Sequence, residues 1–369
     1  MIYLITFLLA FLASIMLQNA LDNGKKKKVI FWSTAIILIL SVLAGLRDVS
    51  VGTDNFAYRR DFLAFSSYTS FRQITTTGSL EILFDLLFFI ISRFTQDYHV
   101  VCFATEFLTM FFVIKGLIYF RNNGYLTSIP LGILVWLFCQ YCNFYNIVQQ
   151  GMAVAIIFYA LKYLLEDKKI VYLLFVCFAM LFHISAILGV GPLLIYMIVK
   201  SKFSTIKLFL WIGILIISMA GISYVGNFVI RLGLLSESYA IFLNRSFEFS
   251  FKQVLYRLPV LLLSSFHYKY IEPKVKEYKF WVAMLWVEAI LSQLAMLYGP
   301  AYRVSLYCWV SNMIIIPSFT VAYKKDNRLI IVAGIIVYLI LYWSYFYIYN
   351  AYNFLYPVYP FVSDILQSI

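Results

Sequence analysis

The amino-acid sequence predicts an all-α fold, a polytopic transmembrane helical bundle of about 12 to 14 helices. The chain is 63% hydrophobic and only 12% charged, whereas about a quarter of the residues in a soluble domain are charged. Apolar runs of about 20 residues, the length that crosses a bilayer core, recur along the chain with short polar breaks. These runs lack the alternating polar residues of outer-membrane strands, so helices are the expected spanning element.

The apolar runs can be placed as twelve spans by the positive-inside rule. They cover 2–18, 29–46, 98–120, 126–143, 146–165, 170–182, 184–199, 206–224, 253–268, 280–298, 304–322 and 329–348. The lysine-rich breaks at 25–28, 166–169, 200–207, 269–279 and 324–328 are taken as cytoplasmic, which puts the N-terminus outside. Because the lysines follow the first run, a cleaved signal peptide is not expected.

This topology predicts one multi-pass domain over 1–369, with outer-face loops at about 47–79 and 225–252. The net charge of +12 is spread over short loops between spans, so membrane topology accounts for it and no nucleic-acid partner is expected. If the segment 79–94 is counted as a full span, the later lysine-rich breaks fall on the outer side of the membrane. Because Glu81 and Asp85 lie one turn apart on it, we expect a helix that lies at the outer surface or re-enters, although a tilted span is an alternative.

Lysines and arginines are predicted on opposite sides of the membrane. Only Lys252 of the 18 lysines falls clearly outside, whereas nine of the 11 arginines do: Arg47, Arg59, Arg60, Arg72, Arg93, Arg231, Arg245, Arg257 and Arg303. A guanidinium group is a planar fork of donors that binds phosphate through two hydrogen bonds. The arginine-rich face is therefore suited to a lipid pyrophosphate or an anionic sugar, the alternative being contact with lipid headgroups.

The densest polar stretch, Arg47 to Asp61, follows the second span directly. Gly52 permits a turn, and a helix is predicted over Asn55–Phe65. Asp54 is placed either to cap this helix or to accept a proton from a sugar hydroxyl. Tyr58, Arg59 and Arg60 belong to the same stretch and are predicted to contact the substrate.

A second polar stretch, Asn143 to Gln150, joins two apolar runs without glycine or proline. Its amides Asn146, Gln149 and Gln150 either cap the next helix and pair with neighbouring spans, or bind sugar hydroxyls. His183 stands at a break between two apolar runs and is either a packing residue or a base or phosphate partner. Arg303 opens a span after a Gly-Pro turn, and an ionisable group at that depth is a site candidate.

Metal and disulfide chemistry are not predicted. The five cysteines lie in apolar runs, and only Cys139 and Cys142 form a CxxC pair, which fits neither a zinc site nor a disulfide framework. Seven tyrosines between Tyr342 and Tyr359 match an aromatic belt at the membrane surface better than a sugar-stacking site.

Taken together, the stretches resemble the EpsG family of exopolysaccharide proteins, which are similar in role to Wzy-type O-antigen and capsule polymerases. The residues that carry the resemblance follow each other in the expected order: Arg47 to Tyr58 with its centre Val51-Gly-Thr-Asp54, then Glu81, Asn146 to Ala153, Phe182-His183-Ile-Ser185 and Arg303. The chain departs from the family pattern at Gln149, where such proteins carry an arginine before the Gln-Gly pair.

The resemblance implies a helical membrane fold related to the GT-C glycosyltransferases and a reaction on undecaprenyl-pyrophosphate-linked repeat units, without a metal or other cofactor. Membrane lipids, a flippase and a chain-length regulator are the implied partners in a bacterial cytoplasmic membrane. In the expected mechanism, Arg47 and Arg303 stabilise the leaving pyrophosphate, Arg59, Arg60 and Arg245 support them, and Asp54 or His183 is the base. Glu81 binds substrate hydroxyls or an arginine. A lipid-linked oligosaccharide flippase or other transporter and a membrane O-acyltransferase are the alternatives.

Overall fold

Every regular element that the computed structural model describes is a helix, within residues 2–75, 80–202, 206–208, 210–211, 213, 249–296, 299–349 and 357–367. The first eleven α-helices are α1 Ile2–Asp22, α2 Lys26–Gly45, α3 Asn55–Phe65, α4 Arg72–Thr75, α5 Ile82–Ser92, α6 Tyr98–Asn122, α7 Ile129–Trp136, α8 Cys142–Phe144, α9 Val148–Leu165, α10 Lys169–Met180 and α11 Val190–Lys200. The later ones are α12 Phe251–Leu255, α13 Leu258–Phe266, α14 Tyr268–Ile271, α15 Tyr278–Leu291, α16 Leu306–Trp309, α17 Asn312–Ala322, α18 Arg328–Trp343 and α19 Asp364–Gln367.

Short helices of other types complete the described part of the chain. The 3₁₀-helices are Ile184–Gly189, Ser292–Met296, Gly299–Ser305 and Lys325–Asn327, and the π-helices are Leu137–Tyr141 and Ser344–Tyr349. The π-helix at Leu137–Tyr141 connects α7 to α8 and so shifts the helical phase just before the polar stretch at Asn143.

Six helical segments are long and apolar enough to cross a membrane: Ile2–Asp22, Lys26–Gly45, Tyr98–Asn122, Val148–Leu165, Tyr278–Met296 and Arg328–Tyr349. The bent pair Tyr302–Trp309 and Asn312–Ala322 makes a seventh if it is one span. The chain is therefore a multi-pass membrane protein, as predicted. The count of twelve spans stays a prediction, because other apolar runs form helices of only 10–17 residues and most of 206–224 lies outside the described residues.

Helix α5 is too short to cross the membrane by itself. It has 11 residues, which span about 16 Å, whereas the hydrocarbon core is about 30 Å thick. This length favours the surface or re-entrant helix that the sequence suggested for 79–94. Glu81 occupies its N-cap position, and the Asp85 N–H donates to the carbonyl of Glu81 at 3.2 Å.

The chain divides into two compact units, which are described separately. The first comprises Met1–Ile187 and Ile316–Ile369, and the second comprises Leu188–Ile315. In the first unit α6 packs against α2 and α9, and α1 packs against α2. In the second unit α15 packs against α11 and α16. The single domain over 1–369 stays a prediction.

Local sequence explains several helix ends in the first unit. Gly24 (φ +66°) follows α1 and Gly124 (φ +78°) follows α6, in the left-handed region that glycine adopts without strain. Asp97 caps α6 by accepting a hydrogen bond from the His99 N–H at 2.9 Å. Ser128 caps α7, whose first turn contains Pro130.

The first unit has two chemically different ends. At one end, which we call the lysine end, Arg121 pairs with Asp22 at 3.1 Å and the Tyr119 hydroxyl donates to Glu166 at 2.6 Å. The lysine breaks 25–28 and 166–169 adjoin these residues in the chain. At the other end, which we call the Arg47 end, α2 ends beside the start of α6, where His99 Nδ1 lies 2.8 Å from the Gly45 carbonyl. The polar stretches singled out by the sequence begin there.

Candidate active site

The loop from Leu46 to Asp54 is held by backbone hydrogen bonds to the C-terminal segment 357–367. The Asp48 N–H donates to the Val362 carbonyl and the Gly52 N–H to the Pro357 carbonyl, both at 2.9 Å. Gly52 has φ +118°, and a Cβ there would lie 2.6 Å from the carbonyl oxygen of Tyr145. Only glycine fits this close approach, so the turn predicted at Gly52 is also a packing contact between the two polar stretches.

Arg47 turns inward from this loop and is 3% exposed. Its Nη2 donates to Oδ1 of Asn55 at 3.3 Å, and its Cζ lies 4.0 Å from the centroid of the Tyr145 ring. The Tyr98 hydroxyl donates to the same Asn55 oxygen at 3.2 Å. Buried Nε of Arg47 has no hydrogen-bond partner among the described residues. The guanidinium group is therefore fixed by its face and one edge, while its buried Nε donor lacks a protein partner among the described residues.

The amide stretch meets the Arg47 loop through Asn146. Oδ1 of Asn146 accepts a hydrogen bond from the Thr53 N–H at 2.8 Å, while its buried Nδ2 has no partner among the described residues. The Tyr58 hydroxyl donates to Oε1 of Gln149 at 3.5 Å, and Gln150 is buried. The structure thus brings together Arg47, Tyr58, Asn146 and Gln149, which the sequence assigned to the site from separate motifs.

His183 and Glu81 form a pair at the end of α10. Nδ1 of His183 lies 2.5 Å from Oε1 of Glu81, and the Ile184 N–H donates to the same oxygen at 3.2 Å. The backbones also meet, since the Leu83 N–H donates to the Leu181 carbonyl at 2.9 Å. A carboxylate on Nδ1 fixes the imidazole ring and makes Nε2 the proton-accepting nitrogen. The expected contacts of Glu81 with an arginine or with substrate hydroxyls stay predictions.

The helix predicted over Asn55–Phe65 is confirmed as α3, with Asp54 at its N-cap position. The Asp54 side chain accepts no hydrogen bond from the helix and instead accepts one from Oγ1 of Thr53 at 3.1 Å. The cap predicted for the Asp54 side chain is therefore wrong, and the buried Asn55 makes the local contacts instead. Its amide donates to the Val51 carbonyl, which ties the start of the helix to the preceding loop.

The two arginines of α3 face different surroundings. Arg60 is exposed and pairs with the adjacent Asp61 at 2.9 Å. Arg59 lines a cavity of about 220 Å³ at the Arg47 end, together with Asp48, Val49, Gln96, Asp97, Tyr98, His99 and Asp364. Hydrogen bonds from Ser50 to the Asp48 carboxylate lower the pKa of that group, so Asp48 is anionic at neutral pH.

Arg303 belongs to the second unit, where it lies in the 3₁₀-helix Gly299–Ser305. Next to it in the chain, Ser305 donates to Glu288 at 3.5 Å, and Glu288 forms a buried ion pair with Arg257 at 2.5 Å. Arg47 and Arg303 therefore lie in different units, and their convergence stays a prediction. Arg245, predicted to support them, lies outside the described residues.

Other arginines have structural roles. Arg93 donates to the carbonyls of Phe65 and Tyr68 at 2.7 Å and so closes the C-terminal end of α3. Within the described residues no group of three His, Cys, Asp or Glu side chains could hold a metal ion. The expected independence from metal ions nevertheless stays a prediction.

Sequence reasoning missed Glu106 and the ion pair between Arg257 and Glu288. Glu106 and Glu288 are the only carboxylates within the apolar runs 98–120 and 280–298. A single carboxylate in such a run is expensive in lipid, and this signal would have identified both. Asn55 was predicted only as the first residue of a helix, although it is buried and bonds to Arg47 and Tyr98.

Comparison with known proteins supplies one match. A family model described as the EpsG family matches residues 29–363 of the chain. This range includes most of α2, all of α3 to α18 and both polar stretches of the Arg47 end. No curated protein and no solved structure matches the chain.

Proposed function

The chain belongs to the EpsG family, a family of Wzy-type polymerases, and we propose that it polymerises lipid-linked oligosaccharides at the outer face of a bacterial cytoplasmic membrane. Family membership and the membrane-spanning helices indicate a multi-pass polysaccharide polymerase. The proposal adds the substrates, which are a growing glycan on undecaprenyl pyrophosphate and an incoming lipid-linked repeat unit. The lysine end of the first unit is then cytoplasmic, by the positive-inside rule.

The proposed reaction transfers the growing glycan to a hydroxyl of the incoming repeat unit. A bond forms between this hydroxyl oxygen and the anomeric carbon of the donor, and the bond from that carbon to the pyrophosphate breaks. The bonding electrons leave with the lipid pyrophosphate, and the hydroxyl proton passes to a base. Negative charge therefore grows on the leaving group, where fixed donors stabilise the transition state more than the ground state.

The observation that supports the proposal most directly is the buried guanidinium group of Arg47. It is held by Asn55 and Tyr145, while its buried Nε and the buried amide nitrogen of Asn146 have no partner among the described residues. Donors that are buried and unpaired suit a ligand rich in acceptor oxygens, such as a pyrophosphate. Arg303 of the second unit is the second proposed pyrophosphate ligand, with Arg59, Arg60 and Arg245 as supports.

His183 is the proposed base, because Glu81 holds its ring through Nδ1. Asp54 is the alternative base, and its side chain is not engaged as a helix cap. Tyr58, Asn146, Gln149 and Gln150 are proposed to bind sugar hydroxyls beside Arg47. A flippase that delivers the repeat units and a chain-length regulator remain proposed partners.

Purified protein in liposomes with lipid-linked repeat units tests the proposal. We expect a ladder of products without nucleotide sugars, and a loss of at least about 100-fold in polymer formation for Arg47→Met. Arg121→Met is the matched control, because Arg121 pairs with Asp22 at the lysine end. Its polymer yield per folded molecule should stay near wild type.

The alternatives give different results in the same liposomes. Movement of labelled repeat units across the bilayer without a ladder would indicate a flippase, and incorporation of acyl groups would indicate an O-acyltransferase. Either result without polymer from wild-type protein would overturn the proposal. So would equal ladders from wild type and Arg47→Met.

A further inference from the structure

A polar cavity of about 220 Å³ lies at the Arg47 end of the first unit. Asp48, which follows Arg47 in the chain, forms part of its wall. Tyr98 forms another part, and its hydroxyl shares the Oδ1 atom of Asn55 with Arg47. Cavities that hold drug-sized ligands measure about 300–1,000 Å³. This smaller cavity therefore has room for one sugar ring of a glycan but not for a whole repeat unit.

Two side chains of the cavity wall supply hydrogen-bond donors. Arg59 of α3 and Gln96, which precedes α6, make no hydrogen bond and no ion pair with any described residue. The Arg59 side chain ends in a planar fork of N–H donors, and the Gln96 amide both donates and accepts. Both side chains can therefore donate to a ligand in the cavity without giving up a contact within the described part of the protein.

Two carboxylates of the same wall supply acceptors. Oδ1 of Asp48 accepts from the Ser50 N–H at 2.8 Å, and Oδ1 of Asp97 accepts from the His99 N–H at 2.9 Å. These bonds fix the direction of each carboxylate. Because a carboxylate has about four positions at which it can accept a hydrogen bond, both groups keep the capacity to bind a ligand.

A third carboxylate closes the cavity from the C-terminal segment. Oδ1 of Asp364 lies 3.2 Å from Nε2 of His99, whose Nδ1 lies 2.8 Å from the Gly45 carbonyl. His99 thus joins α19 to the end of α2 and the start of α6. The three carboxylates around the cavity are therefore held by contacts of their own, which keeps the wall in place for a ligand.

The chemistry of the wall matches a sugar ring. Sugar hydroxyls both donate and accept hydrogen bonds, and the C–H groups of the ring are apolar. The cavity offers donors from Arg59, acceptors from Asp48 and an apolar side formed by Val49 and the Tyr98 ring. A phosphate matches poorly, because it would meet three carboxylates of its own charge, and a metal cation would meet the guanidinium group of Arg59.

The charge of the wall restricts which sugars fit. Asp48, Asp97 and Asp364 are three carboxylates, and Arg59 is one permanent cation. Negative charge therefore remains in excess even when His99 is protonated. The arginine-rich face as a whole suits a pyrophosphate or an anionic sugar, but a sugar that carries a carboxylate would be repelled at this position.

We propose that this cavity is a sugar subsite, which binds one uncharged sugar ring of a lipid-linked glycan and excludes a uronic acid at that position. The proposal rests on the proposed polymerase function, which supplies a glycan beside Arg47. Asp48 and Arg59 bind the sugar hydroxyls, and the excess of carboxylates provides the discrimination. The subsite thus narrows the substrate class to glycans with an uncharged sugar next to the proposed pyrophosphate site.

Saturation-transfer NMR tests the subsite without turnover, on full-length protein in a detergent that has no sugar head group. The uncharged probes are the methyl glycosides of glucose, galactose and N-acetylglucosamine, and the anionic probe is the methyl glycoside of glucuronic acid. Glucuronic acid differs from glucose only by the carboxylate at C6. We expect at least one uncharged glycoside to bind about 10-fold or more tightly than the glucuronide.

Two variants should change this preference in opposite directions. Asp48→Asn keeps an oxygen that can accept from Ser50 and removes one negative charge, so the uncharged glycoside should bind about 10-fold more weakly and the preference over the glucuronide should shrink. Arg59→Met removes donors and a positive charge, so it should also weaken the uncharged glycoside but exclude the glucuronide more strongly. Asp61→Asn is the control, because it removes a carboxylate on α3 outside the cavity wall and should leave both affinities unchanged.

Three results would overturn the subsite: no binding of any uncharged glycoside, equal binding of the glucuronide by wild-type protein, or a preference that Asp48→Asn and Asp61→Asn change equally. A product ladder from the same protein in liposomes would leave the polymerase function standing beside any of these results. The expected glycoside preference in a protein that makes no ladder would instead reject the polymerase function and retain the sugar subsite.

Discussion

The carboxylate of Glu81 lies 2.5 Å from Nδ1 of His183, although the two residues are 102 positions apart in the chain. Glu81 precedes α5 and His183 follows α10, so the pair forms only when these two short helices are in place. The Ile184 N–H shares the same carboxylate oxygen at 3.2 Å. The histidine is therefore oriented by one carboxylate that is itself anchored to the backbone.

The first prediction concerns this pair. His183→Gln should lower polymer formation by about 100-fold or more, because a general base typically contributes 10² to 10⁴ in rate. Glu81→Gln should cost less, on the order of 10-fold, since the imidazole remains but loses its orientation. Turnover in liposomes measures both. His267→Gln, at the exposed end of α13, is the control, and equal losses in all three variants would contradict a base role for His183.

The second prediction concerns Gly52. Gly52→Ala should destabilise the folded protein by about 1–3 kcal/mol, because the added Cβ meets the Tyr145 carbonyl and φ lies in the left-handed region. Gly24 also has a positive φ, +66°, but no atom lies within 4 Å of the Cβ that Gly24→Ala would add. Thermal unfolding in detergent should show the larger loss for Gly52→Ala. Equal losses would mean that the contact with Tyr145 contributes nothing.

The third prediction separates two roles of Asn146. Asn146→Asp keeps an oxygen that can accept from the Thr53 N–H, so the unfolding temperature should fall less than in Asn146→Ala. It removes the unpaired Nδ2 donor, so polymer formation should fall by about 10-fold if that donor binds substrate. Asn146→Ala should lower both quantities. If Asn146→Asp has full activity, the Nδ2 donor has no role in substrate binding.

The fourth prediction concerns the buried pair in the second unit. Arg257→Met should destabilise the protein by about 3–5 kcal/mol, because it leaves the Glu288 carboxylate buried without its ion pair. The double variant Arg257→Met with Glu288→Leu should recover most of this loss, since two apolar side chains carry no desolvation penalty. Thermal unfolding of the single and double variants measures both the loss of stability and its recovery. A double variant that is less stable than Arg257→Met would show that Glu288 stabilises the protein through contacts other than its ion pair with Arg257.

Parts of the fold followed from the sequence because they depend on local chemistry. The helix at Asn55–Phe65 and the long span from Tyr98 were predicted to within a few residues, since a polar start and a continuous apolar run define them. The run at 126–143 was predicted as a single span. The structure has a continuous helical segment there, Ile129–Phe144, interrupted by a π-helix at Leu137–Tyr141 that no composition signal marks.

The site was predictable in its members but not in its contacts. Arg47, Asn146, Glu81 and His183 were selected as polar residues at the ends of apolar runs. The residue that each of them contacts comes from a distant part of the chain, as the pair of Glu81 and His183 shows, and the sequence pattern does not indicate such pairs. At the start of α3 the sequence favoured Asp54, yet Asn55 is the residue that turns inward. Which of these two side chains points inward depends on the rotation of α3 about its axis, and tertiary packing sets that rotation.

The C-terminal segment supplies acceptors for the loop that carries Arg47, through the carbonyls of Pro357 and Val362. A ribosome that makes this chain adds those two carbonyls only after the residues of every helix from α1 to α18. Until then the backbone donors of the loop bond to water or to other temporary partners. Catalytic competence in the cell should therefore arise late, once the C-terminal segment has reached the loop.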